Sequence, residues 1–282
     1  MYFCTAADSN HYPVLLNQIG SIFKHNEKDL KNIAVFNLGL KPEEIATINS
    51  IDRVEVFEVE KTNPLITESI HCNNGRWIAG LFSWKPVVIK KSLEMFPYVL
   101  YMDSGTMLMN PANDLFDHIK ENNYFVTDCG HSIKWMTPKY IINKLNLESD
   151  ETKWILDDDT LGIDAGFQGV SREMLDSYIM PLYEMSKEIQ NFLDDGTCPD
   201  GLGTARHDQP LFSIQARKLG LDILKHDRDP EECILTFDNK KVPLHITHFG
   251  EKLKPETVIW RCRRNISREI LNESMSHIKV AQ

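Results

Sequence analysis

Apolar positions along the chain switch repeatedly between strand-like and helix-like spacing. Tyr2 to Ala7 reads as an opening strand, after which Val14, Leu15, Ile19, Ile22 and Phe23 recur at helical intervals behind Pro13, a favoured first-turn residue. Ile33 to Leu38 is a second strand, Pro42 to Ile51 a short helix, and Val54 to Val59 a third strand with alternating polarity. Trp77 to Met95 is predicted as a helix bent at Pro86, feeding the run Phe96-Pro97-Tyr98-Val99-Leu100-Tyr101-Met102-Asp103-Ser104-Gly105. A continuous apolar run of this kind predicts an inner strand of a parallel sheet, buried on both faces. It ends abruptly on Asp103, at the carboxyl end of a strand, where ligands of open α/β sheets sit. The competing reading of Asp103 is a turn cap.

Beyond Asn110-Pro111 the pattern predicts a short amphipathic helix through Leu115, Phe116 and Ile119, then a strand from Tyr124 to Thr127. From Cys129 to Gly162 periodicity blurs among Trp135, Tyr140, Trp154 and the run Asp157-Asp158-Asp159, which suggests a lid or substrate loop, or else a surface insertion. Ile163 to Val170 is a strand interrupted by Gly166 and Gly169, and a helix kinked at Pro181 is expected after Ser171. Asp194 to Gly203 reads as a polar loop, Asp208 as the N-cap of a helix, Leu221 to Leu224 as a strand and Val242 to Phe249 as the last strand. A helix from Ile266 to about Val280 closes the chain. Alternating strands and helices predict an α/β fold with a mostly parallel central sheet flanked by helices, in a single domain. Residues 1–260 form that domain, with 261–282 a basic helical tail carrying Arg261, Arg263, Arg264 and Arg268.

Composition narrows the partners. The 282 residues are 42% apolar and 26% charged, ordinary for one large globular core. A net charge of −10 disfavours a general nucleic-acid binder, although an acidic protein can hold a local basic site. Six dispersed cysteines show no Cys-x-x-Cys or zinc-finger spacing and read as free thiols, with disulfides left open. The opening residues lack a basic segment followed by an apolar one, and no apolar run approaches about 18 residues, so a cytoplasmic protein without a transmembrane segment is expected. A peripheral membrane contact through the basic tail stays open. The sequons Asn265-Ile266-Ser267 and Asn272-Glu273-Ser274 would matter only in a secretory lumen.

Candidate chemistry gathers at strand and helix ends. Ala6-Ala7-Asp8-Ser9-Asn10 places a carboxylate and an amide where they can read a base edge or ribose hydroxyls, or simply shape a turn. Lys85 can approach a diphosphate as a point charge, or be one exposed helix lysine among several. Asp164-Ala165-Gly166 and His207-Asp208-Gln209 supply acid, amide and a glycine gap. His248 can bind a divalent cation of the manganese type, and Lys254 can wrap round to a phosphate. His248 is equally readable as a hydrogen-bonded structural residue.

Taken together, these segments resemble glycosyltransferases of the GT-A (Rossmann-like) fold, most closely family eight, which includes glycogenin and bacterial lipopolysaccharide galactosyltransferases. The resemblance runs from Tyr2 to about Pro255. Ala6 to Tyr12 is similar to the family's first nucleotide-binding turn, and Tyr101-Met102-Asp103-Ser104-Gly105 to its Asp-x-Asp strand. Ile163-Asp164-Ala165-Gly166 is similar to its Phe-Asn-Ala/Ser-Gly, Asp208-Gln209 to its Asp-Gln pair, and His248 to Pro255 to its His-Phe-x-Gly-x-x-Lys-Pro. Three positions depart from the pattern: Gly105 replaces the second acid, Asp164 the asparagine, and the last glycine is displaced to Gly250.

The resemblance implies transfer of a hexose from a nucleotide sugar, with uridine the expected base, to a glycan, lipid-linked or protein hydroxyl, with retained anomeric configuration. It places Ala6, Asp8, Asn10, Lys85, Asp103, Ser104, Asp164, Ala165, Gly166, Gly250 and Lys254 at the donor. Gln209 and Asp208 fall at the reacting centre, and Asp103 and His248 on a divalent cation, Mn²⁺ or Mg²⁺. Gly105 removes one expected ligand, so the metal could be weakly held, another acid could substitute, or catalysis could proceed without metal. The alternative is a catalytically impaired nucleotide-sugar-binding or scaffold protein of the same fold.

Overall fold

The computed structural model describes residues 1–72, 75–198, 205–225, 232–264 and 266–281. Asn265 of the first sequon and residues 199–203 of the expected polar loop lie outside the described residues. The first half follows the alternation closely: β1 (Tyr2–Ala7), α1 (Tyr12–Asn26), β2 (Asn32–Asn37), α2 (Pro42–Asn49) and β3 (Val54–Glu58). Two short strands, β4 (Ser69–His71) and β5 (Trp77–Ala79), form a hairpin before α3 (Trp84–Met95) and β6 (Tyr98–Met102).

The expected helix over Trp77 to Met95 is therefore shorter, and Pro86 does not bend it. Gly80, Leu81 and Phe82 all take positive φ (51°, 50° and 63°), which breaks the chain just ahead of α3 and leaves Pro86 in its tolerated first turn. A side chain at Gly80 would strike the backbone of Ile66, its Cβ 1.8 Å from the carbonyl oxygen.

The chain continues through β7 (Met107–Leu108), α4 (Asn113–Asn122), β8 (Tyr124–Ser132), α5 (Ile133–Met136), α6 (Lys139–Lys144) and β9 (Leu161–Ser171). The aperiodic stretch from Cys129 is not an open lid: Ile133, Met136, Ile141, Leu147 and Ile155 are buried in the core. Its helices are too short to display a helical period. Past β9, a 3₁₀ turn and a π turn precede α7 (Met180–Ser186), which holds Pro181 in its first turn without a kink. Then come α8 (Asp208–Lys218), β10 (Ile234–Phe237), β11 (Lys240–Pro243), β12 (Ile246–His248), β13 (Ile259–Arg261) and α9 (Arg268–Ser276). The segment from Leu221 contributes only a bridge at Leu224, and the expected last strand is split between β11 and β12.

The central sheet has the order β3-β2-β1-β6-β9-β8. β1, β2, β3 and β6 run parallel, while β9 is antiparallel to both β6 and β8. β6 lies inside the sheet, and its Val99, Leu100, Tyr101 and Met102 are buried. Their side chains alternate between two cores: Val99 and Tyr101 join Trp84, Val88 and Phe36 on one face, Leu100 and Met102 join Leu15, Ile19 and Phe116 on the other. Each such burial contributes roughly 1.5–3 kcal/mol, which fixes the register that delivers Asp103 to the sheet edge.

A second sheet, β12-β13-β7, brings the C-terminal segment back beside the end of β6. The tail beyond it is docked. α9 crosses α1 at Gly20, where a Cβ would lie 2.2 Å from the Ser274 carbonyl oxygen, and the buried Ser274 Oγ donates to Asn17 Oδ1 at 2.7 Å. Among the described residues no helix is long and apolar enough to cross a membrane.

Candidate active site

Asp103 follows directly on β6, and its backbone is tied on three sides. Its N–H donates to the Gly166 carbonyl on β9 at 2.9 Å, while its carbonyl accepts from Gln18 Nε2 and from the Thr106 N–H, each at 2.9 Å. Its carboxylate accepts the Tyr101 hydroxyl proton at 2.6 Å through Oδ1, and Lys85 Nζ lies 3.3 Å from the same oxygen. The other oxygen, Oδ2, faces Arg261 Nη2 at 3.8 Å. A turn cap does not need such a setting.

Lys85 projects from the first turn of α3 and is buried rather than exposed. It bridges Asp103 to Asp208, with Nζ 2.8 Å from Asp208 Oδ2, and lies 4.9 Å from the centre of the Phe82 ring. Burial disfavours the ammonium, yet Asp103 and Asp208 outweigh it and hold the pKa of Lys85 above the ordinary lysine value. Burial also pushes the Asp208 carboxyl up, against the pull of Lys85. Asp208 is thus not the N-cap of α8. His207, at φ 54°, occupies that position, and Asp208 points inward from the first turn.

Arg261 ends β13 and spans two acids, pairing with Asp164 through Nη1 and facing Asp103 through Nη2. Asp164 also accepts the Gly166 N–H at 2.9 Å. The glycine gap is filled by these groups: a Cβ on Gly166 would sit 2.4 Å from Asp103 Oδ2 and 2.6 Å from Arg261 Nη2. Ala165 is buried beside it. Gln209 lies one residue past Asp208 in hydrogen-bond contact with the Cys129 thiol, and its carbonyl accepts from Ser213 Oγ at 2.6 Å. Ser213 in turn accepts the Ile163 N–H at 2.9 Å, fixing α8 against β9.

At the end of β1, Asp8 Oδ1 accepts from His11 Nδ1 at 2.6 Å, and His11 Nε2 receives Arg264 Nε at 3.1 Å. Two guanidinium donors on Nε2 require its lone pair, so the ring carries its proton on Nδ1, toward Asp8. Burial alone would raise the Asp8 carboxyl, but the bonds from His11 and Asn10 hold it below the ordinary carboxylate value. A cavity of about 310 Å³ opens beside this chain, lined by Asn10, Pro13, Arg264 and Arg268 among others. Ala6 is buried beneath the turn and Asn10 is exposed. Ser104 is buried next to Asp103, whereas Gly250, at φ 91°, and Lys254 are exposed in the loop after β12.

The structure brings Lys85, Asp103, Asp164, Gly166 and Asp208 into one cluster, with Asp8 and Asn10 at the neighbouring strand end. His248 pairs in register with Arg261 on the neighbouring strand, so it borders the cluster through that residue. In the order β12-β13-β7, the strand bearing Arg261 runs between the strand bearing His248 and the strand that follows Asp103. A divalent cation does not fit the cluster as arranged. The Asp103 oxygens already face a phenol, an ammonium and a guanidinium, and no group of three His, Cys, Asp or Glu among the described residues forms a metal-ligand set. A dication on Oδ2 would have to share that oxygen with the Arg261 guanidinium, whose Nη2 lies 3.8 Å away.

Sequence reasoning missed Arg261, Tyr101, His11 and Arg264 as members of these clusters. Arg261 sits on a strand of three residues, too short to show a period. His11 was legible only as backbone, since an Asp in a turn bonds an N–H a few residues on, as Asp8 Oδ1 accepts the His11 N–H at 3.0 Å.

No protein-family model matches the sequence, and no curated protein matches it. Solved structures do match in shape. Core-mannan synthase A from Aspergillus fumigatus, in an Mn/GDP form, aligns with a TM-score of 0.53 at 11% identity, over 76% of this chain and 68% of that one. An active-site Gln-to-Glu mutant of LgtC aligns with a TM-score of 0.53 at 12% identity, over 100% of this chain and 98% of that one. The bifunctional glycosyltransferase WbbM aligns with a TM-score of 0.51 at 12% identity, over 98% of this chain, which spans only 49% of WbbM. The six-stranded sheet with its flanking helices has the GT-A glycosyltransferase fold.

Proposed function

We propose that this chain is a glycosyltransferase that moves a hexose from a nucleotide sugar, a UDP-sugar in the first instance, to a hydroxyl acceptor. The observation that carries the reading is the convergence of Asp103, Asp164, Lys85 and Arg261 at the carboxyl end of the central strand of a GT-A fold. Ligands of open α/β sheets bind at such strand ends, and these are the groups a sugar diphosphate needs.

In this reading Asp8 and Asn10, with Ala6 beneath them, meet the nucleoside, and Ser104 and Asp103 meet the donor. Ala165 and Gly166 keep side chains out of the way of the sugar. Gly250 and Lys254 approach the diphosphate from the exposed loop. As the anomeric C–O bond breaks, charge builds on the diphosphate, and fixed cations aimed there stabilise it without reorganisation. Asp208 acts through Lys85, because its carboxylate is buried against that ammonium.

Gln209 lies beside the reacting carbon and the configuration is retained. An amide is a poor nucleophile, so the leaving phosphate oxygen takes the acceptor proton while the acceptor oxygen bonds to the anomeric carbon on the same face. Trp135 and Trp154, partly exposed, offer ring faces for an acceptor sugar.

A panel of nucleotide sugars, read by nucleotide release and by thermal stabilisation with UDP and GDP, tests the reading. One donor is expected to be consumed, and Asp103→Ala to cut its turnover about 100-fold through misplacement of Lys85 and Arg261. Stabilisation by a nucleotide without consumption of any donor would favour the binding-protein alternative. No stabilisation and no turnover would overturn both.

A further inference from the structure

The glycine at position 105 is enforced by the C-terminal segment. The Arg263 N–H donates to the Gly105 carbonyl at 2.7 Å, and a Cβ on Gly105 would lie 2.8 Å from Arg263 Cα and 3.0 Å from its carbonyl oxygen. Space that a second acidic side chain would need is occupied by backbone. The same segment then sends Arg261 onto Asp103 and Asp164. Loss of an acid and arrival of a cation therefore have one cause, the path of residues 261–263.

Arg206 and Arg261 both lie within electrostatic reach of Arg263. Arg206, two residues before Asp208, has its Nε buried with no hydrogen-bond partner among the described residues. Burial, together with the charges of Arg76 and Arg263, disfavours the Arg206 guanidinium; burial disfavours that of Arg261 as well, against the support of Asp103 and with a smaller push from Arg263. Arg261 and Lys85 are held by Asp103, Asp164 and Asp208, whereas the buried Arg206 Nε is a donor that an anion would satisfy. Guanidinium forks suit phosphate oxygens in pairs, which a point cation does not.

We propose that this chain neutralises the donor diphosphate with fixed side-chain cations, Arg261 foremost with Lys85 and Arg206, and binds and turns over its donor without a divalent cation. This rests on the glycosyltransferase reading and adds what takes the place of the metal. The two oxygens of Asp103 then orient Lys85 and Arg261 rather than an ion. The glycosyl transfer itself is unchanged: the anomeric C–O bond breaks, the diphosphate leaves with the electron pair and meets the guanidinium, and the acceptor proton passes to the leaving oxygen.

Thermal shift with UDP and with GDP, in EDTA and in added Mn²⁺, tests this on the unaltered protein, with donor consumption followed in parallel. Stabilisation and turnover in EDTA are expected to match those in Mn²⁺. Arg261→Met is expected to abolish the shift and to cut turnover about 100-fold, as loss of one charge-stabilising donor does, with Arg261→Lys restoring part. Stabilisation that appears only with Mn²⁺ would overturn the inference and leave the glycosyltransferase reading intact. An Arg261→Met protein that is still stabilised in EDTA would overturn it as well. Absence of any shift and any turnover in both buffers would take down both readings. Should Arg261→Met not fold, the comparison of EDTA with Mn²⁺ on the unaltered protein decides.

Discussion

Lys85 Nζ lies 2.8 Å from Asp208 Oδ2, with both side chains 4% exposed, while the third member of the group, Asp103, is 34% exposed. The pair is therefore built for position: the buried acid holds the ammonium, and the ammonium reaches the acid that faces the cleft. Removing one partner of a buried pair leaves the other charge uncompensated. Lys85→Met is expected to destabilise the fold by about 3–5 kcal/mol, read by denaturant unfolding, and Lys85→Met/Asp208→Asn to recover part of it. The pH sign follows from the raised pKa of Lys85. Its contribution is full below the unfolded value of 10.5 and is lost as pH climbs through the higher folded value. The stability gap between the unaltered protein and Lys85→Met should hold at pH 8 and narrow above pH 10.5. A gap that widened there would contradict the pairing.

Gly166 tests the cluster without touching a charged group. A methyl there must push aside the Asp103 carboxylate or the Arg261 guanidinium, both side-chain ends that can move. Gly166→Ala is expected to change global stability by less than about 1 kcal/mol and yet to lower donor turnover roughly 10- to 100-fold. Equal turnover in the two proteins would show that the carboxylate and guanidinium positions do not matter.

At the end of β1 the sign is opposite to that of Lys85. The Asp8 carboxyl titrates below its ordinary value of 3.8, so its contribution is present above pH 3.8 and is lost as pH falls through the folded value. Asp8→Asn should be less stable than the unaltered protein at pH 6, with the difference shrinking below pH 3.8. Parallel acid-unfolding curves for the two proteins would remove the charge from the account of this turn.

Gly20 is a close approach between helices rather than a turn. A Cβ there meets the Ser274 backbone, which cannot swing away as a side-chain end can. Gly20→Ala is expected to cost about 1–3 kcal/mol by overpacking, and, by tilting α9, to weaken the Arg264 contact with His11. Nucleotide stabilisation should fall along with it. A Tm unchanged within a degree would contradict the packing of α9 on α1.

Much of the fold could be read in advance because its inner strands leave strong signals. Val99 to Met102 must be apolar on both faces, so the run is continuous, and the acid that ends it stands out. Lys85, Asp103 and Asp208 were visible because each sits at an end of an element long enough to have a pattern, and Asp164 because it stands beside Gly166, which interrupts the apolar run of β9. The Cys129 to Gly162 region, read as a lid or substrate loop or else a surface insertion, hid its pattern because its helices are short and its strand is bulged, although their apolar side chains are in the core. Pro86 and Pro181 were expected to bend helices, whereas both sit in first turns, where a missing N–H costs nothing. Arg261 was hidden by its distance along the chain from the acids it meets, since no local rule links β13 to the end of β6.

The placement of Arg261 also has a meaning for synthesis. Until β13 emerges from the ribosome, the partly made chain would bring Asp103, Asp164 and Asp208 together around Lys85 alone, and the excess carboxylates would push one another apart and repel a phosphate. Completion of the cleft thus waits for β13. A product cut short before β13 would hold no donor and so could not waste one by hydrolysis.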